Sequence, residues 1–150
     1  MKFSKNIKTV LDILKGEVDG NVSAALKKMT KDYTMTWVYG APDDKKLFPT
    51  TKKNIRRDMK EVYVIKGRQY DIRNIGEGDS VVFVELIESY PDPKTKKVYR
   101  TPLVLVLEMK AGKIRTGRHY LDPRLSHKHL TKTQVEKAYK NHKGSKLVIK

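Results

Sequence analysis

The spacing of hydrophobic residues alternates between helical and strand period along the chain. Phe3, Ile7, Val10, Leu11 and Leu14 recur at helical spacing and form one apolar stripe. Ser4 stands near its start and Gly16 at its end, which predicts a helix stopping at Gly16. Asp19-Gly20-Asn21 interrupts the pattern. Asn21 can cap a second, short helix whose apolar face is Val22, Ala25, Leu26 and Met29. From Asp32 the period falls to two: Tyr33, Met35, Trp37 and Tyr39 alternate with Thr34, Thr36 and Val38, which predicts a strand. Gly40 to Thr50, with Pro42 and Pro49, reads as a loop. Thr50 or Thr51 can cap a third helix carrying Ile55, Met59, Val62 and Tyr63 on its apolar side.

The remainder is mainly β. Gln69 to Ile75 predicts a strand, and Gly76-Glu77-Gly78-Asp79 a tight turn. Ser80 to Tyr90 predicts a long strand, with Val81, Phe83, Glu85, Ile87 and Ser89 on one face and Val82, Val84, Leu86, Glu88 and Tyr90 on the other. Residues 101–123 predict a hairpin. Its first strand, Leu103 to Met109, is apolar on both faces and is expected to be central and covered on both sides. Lys110-Ala111-Gly112-Lys113 is the turn. On the return strand Ile114, Thr116, Arg118, Tyr120 and Asp122 share one face, and Lys113, Arg115, Gly117, His119 and Leu121 the other. Asp122 is either a solvated strand end or the polar group of a pocket. Thr131-Lys-Thr-Gln134 is a capping-box pattern that opens a last helix, and Leu147-Val148-Ile149 is a short strand or a frayed end. Helices first and consecutive strands afterwards imply an α+β fold with helices packed on one face of a curved antiparallel sheet. The expected organisation is a single domain over residues 1–150, with 124–150 a basic C-terminal helical extension.

Composition narrows the function classes. The chain of 150 residues is 38% hydrophobic and 33% charged, and no apolar run approaches the length of a membrane span. The first residues carry lysines but no apolar leader core, so a cytoplasmic protein without membrane contact is expected. The absence of Cys excludes disulfides and thiol chemistry. The four His (119, 127, 129 and 142) have no companion ligands at metal-binding spacing, so neither a metal nor a cofactor is expected. The net charge is +16. Residues 124–150 hold eight bases against Glu136 alone, and Lys52, Lys53, Arg56, Arg57 and Lys60 form a second cluster. These Lys-dominated surfaces, with few aromatics among them, suit a solvated face or loose phosphate contact better than sequence-specific nucleic-acid readout.

Four segments together resemble a known family. They are Leu26-Lys-Lys-Met29-Thr-Lys-Asp32-Tyr33, Trp37-Val38-Tyr39-Gly40, Gly78-Asp79-Ser80-Val81-Val82, and Leu103 to Ile114 followed by Arg118-His-Tyr-Leu-Asp122-Pro123. In this order they resemble the SnoaL-like polyketide cyclases of the nuclear-transport-factor-2-like superfamily, over roughly residues 3–123. The resemblance implies a cone-shaped fold with a pocket between curved sheet and helices, and it places Asp122 where cyclase-like members carry an acid/base Asp. A carboxylate in such an apolar cavity would have a raised pKa and could move a proton α to a carbonyl. Trp37, Tyr39, Glu85, Glu88, Arg118 and Tyr120 are then the expected pocket-lining residues, with Glu85 or Glu88 the second carboxylate according to which face looks inward. The ligand implied is a small, largely apolar molecule, and the assembly a homodimer through the sheet.

The sequence departs from three better-defined branches. Trp37-Val38-Tyr39 stands where the steroid-isomerase branch carries its base, and Leu86-Ile87-Glu88 lacks the Arg of the epoxide-hydrolase branch. Of the pocket histidines that the dehydratase branch needs, only His119 is near, on the face opposite Asp122. The alternatives are a non-catalytic binding or interaction module of the same fold, and a basic polyanion-binding protein.

Overall fold

The computed structural model describes residues 2–38, 50–62, 65–125, 128–139 and 144–150. Of the residues singled out above, Tyr39, Gly40, Pro42, Pro49, Tyr63, His127 and His142 lie outside this set, and with them the predicted loop from Gly40 up to Thr50. Helix α1 (Lys5–Val18) begins at Ser4, whose Oγ accepts the Ile7 N–H at 3.1 Å. It runs past Gly16, contrary to expectation. A Cβ at Gly16 would lie 3.4 Å from backbone atoms of Ala25 and Asn21, so this glycine admits a close neighbour rather than ending the helix. The chain turns instead at Gly20, whose φ of 68° only glycine adopts at little cost. Asn21 caps α2 (Val22–Lys27), accepting the Ala24 N–H at 3.1 Å.

Among the described residues seven strands follow, with α3 among them: β1 (Met29–Trp37), β2 (Thr50–Thr51), α3 (Lys52–Val62), β3 (Gln69–Gly78), β4 (Val81–Pro91), β5 (Val98–Lys110), β6 (Lys113–Leu121) and β7 (Leu147–Ile149). They form one sheet in the order β2-β1-β6-β5-β4-β3-β7. The β3–β4 and β5–β6 turns each place two residues at positive φ, Asp79 with Ser80 and Ala111 with Gly112, the arrangement that matches strand twist. Sheet neighbours are antiparallel except β1 and β6, which run parallel. The sheet is thus antiparallel as expected apart from this one pairing: the chain leaves β1 through α3 and returns by the meander to lie alongside it. Thr50 and Thr51, expected to cap α3, form β2 against Met35 and Thr34.

The concave face of the sheet carries Ile72, Val82, Val84, Leu86, Leu103, Leu105 and Leu107, all buried. Ile7, Val10, Ile13 and Leu14 of α1 and Ile55 and Met59 of α3 belong to the same core. β5 is the middle strand, as expected, but it is covered on one side only, since Val104 on its outer face is 37% exposed. The β1–β6 register shifts between Met29 and Thr34, and single-residue bulges interrupt the alternation on β3 and β6. On β3 the register moves from Ile72↔Leu86 to Asn74↔Glu85, so Ile72 and Arg73 are both buried. On β6 it moves from Ile114↔Met109 to Thr116↔Glu108, leaving Arg115 as the extra residue. A single inserted residue exchanges the two faces of everything beyond it.

The C-terminal segment is helix and strand. Thr131 and Gln134 form the predicted capping box at the start of α4 (Lys132–Ala138). Arg73, 2% exposed, donates to Asp71 at 2.7 Å and to Glu136 of α4 at 2.9 Å, and its guanidinium lies over the Tyr139 ring. β7 pairs with β3 at Tyr70, Asp71 and Ile72. No described helix is long and apolar enough to cross a membrane.

Candidate functional site in the interior of the cone

The pairing register sorts the expected site residues into two groups. Trp37 of β1 stands beside His119 of β6, which faces Leu105 and, through it, Val84. The next row is Met35, Gly117, Leu107 and Val82. Further along, Glu88 lies between Tyr70 and Thr101. Trp37, His119 and Glu88 therefore belong to the concave face. Glu85, Arg118 and Tyr120 belong to the outer one, in the rows of Val104 and Val106. The expected place of Arg118 and Tyr120 beside Trp37 is corrected by the bulge at Arg115. Ile114 is inside, but two residues further on the same alternation points outward. Arg118 donates to Glu108 at 2.6 Å, and Tyr120 is 39% exposed. The concave face thus carries Glu88 and not Glu85.

Asp122 follows the end of β6. Its Oδ1 accepts the Arg124 backbone N–H at 2.9 Å, and its two oxygens accept the Arg124 guanidinium at 3.0 and 2.7 Å. This is a local Asx turn closed by an ion pair. The Arg124 side chain, and then its backbone N–H, hold the Asp122 carboxyl below the usual carboxylate range. That direction is opposite to the raised pKa implied by an apolar cavity.

A polar group that the sequence reading passed over lies inside the cone. Tyr70, 4% exposed, donates to Glu17 of α1 at 2.7 Å, and its hydroxyl is 3.5 Å from Glu88. Glu88 is paired with Arg68, a side chain only 1% exposed whose guanidinium also covers the Tyr90 ring at 4.7 Å. Tyr33 is buried, and burial first and the Glu17 carboxylate second push its hydroxyl above the ordinary tyrosine pKa. A signal for this group was present in the sequence. Glu17 is three residues beyond Leu14, on the apolar stripe of α1, where a carboxylate must meet a buried partner.

The wall nearer Trp37 is apolar and less completely filled. Met35, Trp37 and Leu121 pack against the core but remain partly accessible. Gly117 makes room for Met35, because a Cβ there would fall 2.7 Å from its terminal methyl. Burial pushes the His119 imidazole down to about 4, so it is neutral at pH 7 and presents an N–H and a lone pair rather than a charge. Among the described residues no group of three or more His, Asp or Glu is placed to hold a metal ion.

The helices, the curved sheet and this interior agree with solved structures of one architecture. TerC, crystallised with polyporic acid, superposes with a TM-score of 0.70 at 18% identity, covering 84% of this chain and 98% of its own. IdmH of Streptomyces antibioticus, a proposed polyketide cyclase, gives 0.68 at 9% identity, covering 81% and 95%. An NTF2-like protein from Anabaena variabilis gives 0.64 at 17% identity, covering 81% and 93%. The chain has the nuclear-transport-factor-2-like fold. No protein-family model matches the sequence, and no curated protein matches it. Within the nuclear-transport-factor-2-like architecture chemistry varies with the side chains inside, so the function rests on the residues above.

Proposed function

We propose that the protein binds a small, largely apolar molecule inside the cone, against Trp37, Met35, His119 and Leu121. The observation that carries this reading is the contrast along one concave face. Val82, Val84, Leu86 and Ile72 on β4 and β3 are 0% exposed, whereas Met35, Trp37 and Leu121 on β1 and β6, on the other side of β5, are only partly buried. An apolar wall that its own core leaves incompletely covered gains free energy from a guest, about 25 cal/mol per Å² removed from water. The neutral imidazole of His119 suits a carbonyl or hydroxyl on that guest. The co-crystal of TerC with polyporic acid supports the same class of ligand.

Trp37 is the chain's one tryptophan, so its emission reports this wall directly. Titration with apolar ketones, phenols and quinones is expected to change Trp37 emission saturably, at one ligand per chain. Emission that responds to none of these probes up to their solubility overturns the reading.

The catalytic form of the proposal is an acid/base cyclase or isomerase with Asp122 as the proton carrier. Asp122 would act there as an ionised base released from Arg124. Asp122→Asn is expected to abolish turnover of a bound carbonyl substrate while leaving the Trp37 titration intact. Unchanged turnover removes Asp122 from the chemistry.

The outer face supports a second element of the proposal, a homodimer through the sheet. Phe83, Val104 and Tyr120 are 48%, 37% and 39% exposed on adjacent strands, and exposed apolar patches on sheets mark contact surfaces. Sedimentation is expected to give a dimer that Phe83→Glu with Val104→Glu converts to a monomer. A monomeric parent protein overturns it.

A further inference from the structure

We infer that the exposed face of α3 is a binding groove for the phosphodiester backbone of a single-stranded nucleic acid, read without regard to base. This surface is separate from the interior and does not depend on the ligand proposed there.

The sequence of α3, KKNIRRDMKEV, divides cleanly between its faces. Ile55 and Met59 are buried in the core, while Lys53, Arg56, Arg57 and Lys60 are exposed. Together with Glu61 these four bases line an open groove of about 380 Å³. Their spacing of three, four and seven residues makes a stripe about 10 Å long on one side of the helix. Among the described residues Lys53, Arg56 and Lys60 have no ion-pair partner, and Arg57 has only a long 3.4 Å contact to Asp58. Two further cations, Lys52 at the start of α3 and Lys113 of β6, stand at the same end. Lys52 donates to the Met29 carbonyl at 2.8 Å, and its ammonium is held below the ordinary lysine range by burial first and then by Lys113 and Arg56. Positive charges gathered at this density repel one another, and a polyanion relieves that repulsion.

The form of the groove selects among polyanions. A membrane-surface helix inserts apolar side chains, but the apolar side chains Ile55 and Met59 of α3 are in the core. Among the described residues the exposed large hydrophobics are Val38, Phe83, Val104, Tyr120 and Val148, none of them on this helix. A narrow row of charge along one helix fits a chain of phosphates better than it fits a flat bilayer. Adjacent guanidiniums at Arg56 and Arg57 suit the paired oxygens of successive phosphates. Among the described residues no aromatic side chain lines the groove, and the contact inferred is with the backbone.

Anisotropy titration of a labelled oligodeoxythymidylate at 50 and 200 mM salt tests this on the full chain. Four phosphate contacts give a single-strand slope of log K against log salt near −3, an affinity loss of about fifty-fold between the two salts. The variant Lys53→Gln, Arg56→Gln, Arg57→Gln, Lys60→Gln is expected to weaken binding at least tenfold and to flatten the slope by about 3. All four side chains are exposed, and an unchanged unfolding midpoint confirms that the fold is retained. A control removing four charges elsewhere, Lys94→Gln, Lys96→Gln, Lys97→Gln, Lys137→Gln, is expected to change affinity less than threefold. An equal loss in the control assigns binding to net charge and overturns the groove. No binding at 50 mM salt, or capture by phosphatidylserine vesicles with none by the oligonucleotide, also overturns it.

Discussion

His119 shows how much one side chain's surroundings decide. Its imidazole, pushed down to about 4 by burial, stands beside Trp37 on the concave face. In the unfolded chain the same group titrates near 6.5. Between these values the unfolded state binds more protons than the folded one. Its contribution to stability is therefore complete above about pH 6.5 and is lost as pH falls towards 4. Partial exposure of the ring limits the loss to about 1–2 kcal/mol between pH 7 and pH 5. Urea unfolding at the two pH values is expected to show this loss, and His119→Gln to reduce it. Equal pH dependence in the two proteins would refute a buried neutral imidazole. Other single residues were legible in advance to different degrees. Ser4, Asn21 and the Thr131–Gln134 pair do the capping that their types and positions implied. Asp122 was placed by resemblance, while its actual partner, Arg124, sits two residues along in the same turn. Arg68 and Glu88 meet across two strands, and no local spacing announces such a pairing.

At the scale of elements, the periodicities of 3.6 and 2 located the helices and the meander to within a few residues. They did not reveal the bulges at Arg73 and Arg115. An inserted residue leaves the composition of a strand unchanged and becomes visible only against the partner strand, which is why Arg118 and Tyr120 were assigned to the wrong face. The parallel pairing of β1 with β6 was hidden for the same reason, since it joins segments some eighty residues apart. The bulge at Arg73 has a structural use. It turns a guanidinium into a buried position from which it holds α4 through Glu136 and braces Asp71 of its own strand. Arg73→Leu leaves both carboxylates without that partner and is expected to cost about 2–4 kcal/mol. Glu136→Gln removes only a half-exposed partner and should cost about 1 kcal/mol or less. Hydrogen exchange should find α4 deprotected in Arg73→Leu. Full protection of α4 in that variant would mean that Val135 and the capping box suffice to dock it.

For the whole molecule, the order helix, helix, strand, helix, meander indicated helices on one face of a curved sheet, and the resemblance supplied the cone. The interior was harder to anticipate, since its polar members come from α1, β1, β3 and β4 and meet only once the sheet has curved. One feature of that sheet bears on the protein's behaviour at high concentration. Among the described residues its two lateral margins are β2, with two residues, and β7, with three. A short outermost strand offers another chain almost no free ladder on which to grow. β7 thereby occupies the backbone of β3 at Tyr70, Asp71 and Ile72, three positions of a ten-residue strand that would otherwise stand open. The last seven residues act, on this view, as a guard against fibril growth. A chain lacking residues 144–150 is expected to keep its helices and to become thioflavin-positive on standing, while the full chain stays clear.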